Sequence, residues 1–119
     1  MGNHTLHPGR KAISLNGTNS VVVCKSPGSD LIREVIALRV SNIDNAVVTL
    51  TLKRSFDGGT ATQVDKVTGL AVDAVWAPID TTKPIVLYPN DSLTMVMSGA
   101  AGLTNPIAYA EYRDYRFWQ

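Results

Sequence analysis

Apolar and polar residues alternate along most of the 119-residue chain, and the 3.6-residue stripe of an amphipathic helix is almost nowhere present. Ile36, Leu38 and Val40 interleave with Ala37, Arg39 and Ser41; Val48, Leu50 and Leu52 interleave with Val47, Thr49, Thr51 and Lys53. Successive side chains of a strand point to opposite faces, so each aliphatic set is expected to line a core and the Thr, Lys and Arg set to face water or a neighbour. Between the two runs, Asn42-Ile43-Asp44-Asn45 has the chemistry of a tight connection, which predicts a hairpin over residues 33–54. Asp30-Leu31-Ile32-Arg33-Glu34-Val35 has a helical reading with Asp30 as cap, but the β-branched residues that follow favour a strand.

Turn residues divide the rest into short strands. Asp57-Gly58-Gly59 supplies positive-φ freedom after Phe56, with a strand returning over about residues 61–67. Residues 70–76 read as the next strand and residues 85–88 as a short run between Pro84 and Pro89. Leu93, Met95 and Met97 form one face of a strand entered through Pro89-Asn90-Asp91-Ser92. Pro78, Pro84 and Pro89 lack a backbone donor and belong at strand ends, edges or loops. A last strand over residues 107–114 puts Ile107 and Tyr109 on one face and Ala108, Ala110 and Tyr112 on the other; Tyr109 is expected to fill the core and Tyr112 to pack on a sheet face. With residues 10–15 and 20–25 at the front, about eight antiparallel strands predict an all-β, single-domain β-sandwich or barrel over residues 10–114. Residues 1–9 read as an N-terminal arm and residues 115–119 as a C-terminal tail.

Composition narrows the function classes. Eleven Lys plus Arg against ten Asp plus Glu leave a net charge of +1, so no basic excess draws the chain onto nucleic acid. Ample Val, Ile and Leu at low charge are the opposite of the disordered signature. No apolar run reaches the roughly 18–20 residues that cross a bilayer, and residues 1–11 lack the apolar core of a secretory signal, which implies a soluble protein made in the cytoplasm, with no membrane partner. Cys24 follows Val21-Val22-Val23 and reads as a small buried hydrophobe.

Groups for catalysis are scarce. Both histidines, His4 and His7, lie in the arm, so a Ser-His-Asp or Cys-His site would need that arm folded into a cleft. His4-x-x-His7 has chelating spacing, but zinc takes three or four protein ligands and no second Cys or third His exists; no metal and no cofactor is expected. Asp44, Asp57, Asp80 and Asp91 stand in turns, where Asx chemistry accounts for them without calcium. No Gly-rich phosphate loop is present. The uneven feature is the aromatics: five of the eight fall in the last eleven residues, and the tail Tyr115-Arg116-Phe117-Trp118-Gln119 sets Phe beside Trp. Aromatic and Arg side chains are the usual anchors of protein interfaces, so Tyr115, Arg116, Phe117 and Trp118, with His4 and His7 of the arm, are the candidate interface residues.

Four segments carry a family resemblance: residues 32–42, the Thr/Val-rich residues 47–52, residues 85–93 with their Asp91-Ser92-Leu93 turn into a strand, and the Ala/Tyr-rich residues 107–112. Their order resembles that of small virion proteins of tailed bacteriophages with a β-sandwich or jelly-roll fold, over about residues 30–114. The resemblance implies a structural role with no catalytic residue: a capsid decoration or cement protein that binds the major capsid protein or another virion protein, and a homo-oligomer, with a trimer at local threefold positions of the head favoured. The virion would be its location. A neck, tail or baseplate component of the same fold is the alternative; from another class, a carbohydrate-binding module would use Trp76 or Trp118 as a stacking platform.

Overall fold

The computed structural model describes residues 5–28 and 30–116. It holds nine strands and, among the described residues, no helix: β1 (Thr5–Ser14), β2 (Val21–Lys25), β3 (Leu31–Ser41), β4 (Val48–Ser55), β5 (Thr62–Leu70), β6 (Val75–Ile79), β7 (Ile85–Leu87), β8 (Ser92–Met97) and β9 (Ile107–Arg116). One sheet has the order β1-β9-β3-β6, with β7 also on β3; the other has the order β2-β8-β4-β5. Every pairing is antiparallel. β6 pairs with residues 38–41 of β3 and β7 with residues 33–35, so the two short strands share one edge and the expected eight strand positions are filled. The chain changes sheet at almost every connection, which is the winding of a jelly roll.

Alternation builds the core between the sheets. Val35, Leu38, Val40, Ile79, Leu87, Ala108 and Ala110 are buried on one inner face, and Val23, Leu50, Leu52, Leu93, Met95 and Met97 on the other. Each fully buried Leu contributes about 1.5–3 kcal/mol relative to exposure. Cys24 is buried beside Val23 because a bulge between Val22 and Cys24 turns two successive residues inward. A similar irregularity between Val35 and Ala37 corrects the expected face of β3: Val35 enters the core, and Ile36 lines a surface depression with Pro8, Arg10 and Glu111.

Three further expectations change. β3 and β4 do not form a hairpin; they lie in different sheets, and residues 42–47 carry the chain from one to the other. The expected strand over residues 70–76 is broken by a turn in which Asp73 has φ 65° and the Ala74 amide donates to the Ala71 carbonyl. Tyr109 is on the outer face and Tyr112 is the one packed against the core, because Ala108 and Ala110 fix the inward phase of β9.

Strand structure also extends beyond residues 10–114, to Thr5 at one end and Arg116 at the other. β1 is an edge strand, the place in a sheet where a proline such as Pro8 is tolerated. Gly9 lies opposite Tyr112, whose ring occupies the space a Cβ at position 9 would need. Gly9→Val should therefore displace that ring and destabilise the fold by about 1–3 kcal/mol in urea denaturation. Leu50→Ala, at the centre of the second sheet, should cost about 2–5 kcal/mol by the same measurement.

Candidate interaction surfaces at the two ends of the sandwich

The molecule measures 50 × 26 × 20 Å. Strand register assigns the loops to two ends. Connections 15–20, 42–47, 71–74 and 98–106 gather at one, the loop end; the starts of β1 and β3, the end of β9 and connections 26–28, 56–61 and 88–91 gather at the other, the terminal end.

A crossover between sheets has no neighbouring strand, so its backbone groups must find other partners. At the loop end Asn42 and Asp44 provide them. Asn42 is fully buried, and its Nδ2 lies 3.0, 2.9 and 3.2 Å from the carbonyls of Ala46, Leu70 and Ala71. Its Oδ1 accepts the Asp44 amide at 3.0 Å, and its own backbone exchanges bonds with Asp73 and Ala74. The Asp44 carboxylate, 3% exposed, accepts the amides of Gly102 (2.8 Å), Leu103 (2.8 Å), Thr104 (3.1 Å) and Asn45 (2.8 Å). Four amide donors, Gly102 first, favour the ionised form and hold this carboxyl down at about 2. Asn105 Oδ1 takes the Gly17 amide at 3.1 Å and ties in the remaining loop. Held on this frame, Leu103 is 78% exposed and Val47 63%, with Ile43 and Val72 also outward.

Two arginines close the terminal end. Arg33 of β3 binds Asp114 in bidentate fashion (2.8 and 3.0 Å), donates to the Lys25 carbonyl of the opposite sheet at 3.1 Å, and lies 3.7 Å from the centre of the Tyr112 ring. Burial alone would lower its pKa, but the bonds and charge of Asp114 raise it. Burial pushes the nearby Cys24 thiol up, against the pull of Arg33. Arg54 of β4 reaches Asp91 (2.9 Å) and the Val86 carbonyl of the other sheet (2.6 Å), with Phe56 over its guanidinium at 4.2 Å. Asp91 also accepts the amides of Asp57 and Tyr88; burial opposes ionisation, yet these bonds and Arg54 hold its carboxyl below the usual range. Beside it, residues 25–28 and 89–92 line an open groove of about 410 Å³.

Of the expected interface residues, His7, Tyr115 and Arg116 lie at this terminal end. Thr5 pairs with Tyr115 and His7 with Asp114, so residues 5–9 of the expected arm run as a strand beside the end of β9. Tyr115 lies within β9 and donates its hydroxyl to Glu34 (3.3 Å), which also pairs with Arg113 (3.2 Å); Arg116 is the exposed last residue of β9. His4, Phe117 and Trp118 fall outside the described residues. Trp76 is half-buried in β6 and packs against the core. Among the described residues no three His, Cys, Asp or Glu side chains cluster as metal ligands. Of the residues that organise both ends, Asn42 and Asp44 were read from sequence only as turn residues, and Arg33, Asp114 and Arg54 were not singled out. Alternation gave no signal for Arg33 and Asp114: they occupy inward positions only once the irregularity between Val35 and Ala37 and the inward phase of Ala108 and Ala110 set the faces of β3 and β9.

No protein-family model and no curated protein matches this sequence. Among solved structures, one from Bacillus endospore appendages, described as a novel family of disulfide-linked pili, aligns with 99% of this chain and 93% of its own at 12% identity and a TM-score of 0.55. It shares the all-β sandwich fold.

Asn42→Ala would leave buried carbonyls of two connections without donors and should cost about 2–4 kcal/mol in chemical denaturation. Leu103→Ala should change stability by less than about 0.5 kcal/mol. Asp44 titrates near 2 when folded and near the ordinary 3.9 when unfolded, so its stabilisation is present above about pH 4 and is lost as pH falls towards 2. The amide resonances of Gly102, Leu103 and Thr104 should shift together over that interval.

Proposed function

We propose that this chain is a non-enzymatic structural subunit that acts through surface contact in a larger assembly, as a capsid decoration protein that stabilises a tailed-phage head by bridging capsomers. The observation that carries the reading is the direction in which the chain spends its polar chemistry. Asp44, Asp91, Asp114, Arg33 and Arg54 all turn inward and hold loops and sheets together, while large apolar side chains are presented outward at both ends. Groups already committed to ion pairs and backbone amides are poorly placed to act as acid, base or nucleophile. Exposed apolar residues on a rigid frame are what a contact surface needs. A subunit that binds only the assembled shell shifts the equilibrium towards the shell, and many copies multiply the effect. The sequence resemblance supplies the phage setting and the trimer at local threefold positions.

A second reading has its own support. A structural neighbour is a pilus protein, so this fold is used in fibres, and a fibre, neck, tail or baseplate component is the alternative. A polymer of this chain would need linkage other than a disulfide, because its single cysteine is 2% exposed in the core.

Heads prepared without the protein should rupture at lower temperature or milder osmotic shock, and purified protein added back should restore resistance. Equal resistance with no binding to heads would reject the decoration role. Copy number separates the settings: hundreds per particle for a head, about a dozen or fewer for a neck or tail.

A further inference from the structure

We propose that copies of this chain associate end to end, the Phe117-Trp118 segment of one copy docking on the apolar loop end of the next. The loop end presents Leu103, Val47, Ile43 and Val72 around one frame of connections. The backbone there is fixed by buried side chains: the Asp44 carboxylate holds three consecutive amides, one of them that of Leu103, the most exposed large apolar residue of the described chain. A leucine set outward on so constrained a loop meets a partner at little cost in ordering.

Reach selects the occupant. β9 starts at the loop end with Ile107 and finishes at the terminal end with Arg116, a run of about 30 Å for ten strand residues. Two further residues span at most about 7 Å of extended chain, so Phe117 and Trp118 cannot return to the loop end of their own subunit. A second copy can offer its loop end. The contact is then heterologous, joining different surfaces on the two copies, and it closes as a ring or extends as a filament according to the rotation between them.

The size of the contact sets the conditions for detecting it. Phe and Trp bury about 150–250 Å² each, so with the surface they cover the contact falls below the roughly 1,200 Å² of standard stable interfaces. One contact is weak in solution and gains strength where several form together. The inference does not depend on the phage-head reading. Purified protein tests it alone, so a failed head-binding experiment leaves it standing and the reverse holds too.

The test is sedimentation velocity of the full chain up to about 1 mM, compared with Leu103→Glu, which blocks the loop end, and with a chain lacking residues 117–119, which removes the tail. Thermal melts check that both variants fold, and Val47→Glu is the second loop-end variant. The wild type should associate with rising concentration, and each variant alone should associate at least about tenfold more weakly. Mixed one to one, the two variants should form a dimer and nothing larger, because one intact tail still meets one intact loop end. A wild type that stays monomeric overturns the proposal, as does a mixture no more associated than its components. So does a truncated chain that associates like the wild type, or one that loses thermal stability in place of association, which would put the tail on its own subunit.

Discussion

Two sheets packed face to face share no backbone ladder, so the chain must carry its amides and carbonyls across the gap at each crossover and find them partners there. That constraint governs this molecule. Within the sheets the main chain satisfies itself, but at the ends of the sandwich the work passes to a few buried side chains: Asn42 and Asp44 where β3 leaves for β4, Arg33 and Asp114 between β3 and β9, Arg54 and Asp91 between β4 and the turn before β8. Arg33 and Arg54 each donate to a carbonyl of the opposite sheet, so they fasten the two layers by hydrogen bonds where the hydrocarbon core thins out.

The same constraint explains which parts of the fold were legible in the sequence. Strands with strict alternation, such as Val48, Leu50, Leu52 and Leu93, Met95, Met97, could be read directly because period two needs no tertiary information. The β4–β5 hairpin could be read because Asp57 and Gly58 adopt positive φ at its turn. Residues 42–45 misled because Asn and Asp serve equally in a tight turn and in a buried crossover; only the carbonyls of Leu70 and Ala71, far along the chain, distinguish the two. The bulge at Ile36 was invisible for a related reason: alternation specifies a face only while the register holds.

The candidate surfaces follow from this division of labour. Sequence alone drew attention to the aromatic tail, and the structure brings the last strand and the first together at one end. The opposite end gave no sequence signal, since Ile43, Val47, Val72 and Leu103 are four single apolar residues scattered over three connections. They share one end of the sandwich, where Asn42 and Asp44 tie those connections together. Buried polar groups thus decide where exposed apolar groups meet.

β9 sits between β1 and β3 in its sheet, yet it is the last of the nine described strands to leave the ribosome. Until β9 emerges, β1 has no partner and β3 lacks one of its two neighbours, so this half of the sandwich cannot close. Its folding waits for β9 and is slowed by separation along the chain, because the loop closed by β1 and β9 encloses the seven other strands. Until then the unpaired edges of β1 and β3 are the places where two unfinished copies would stick to each other.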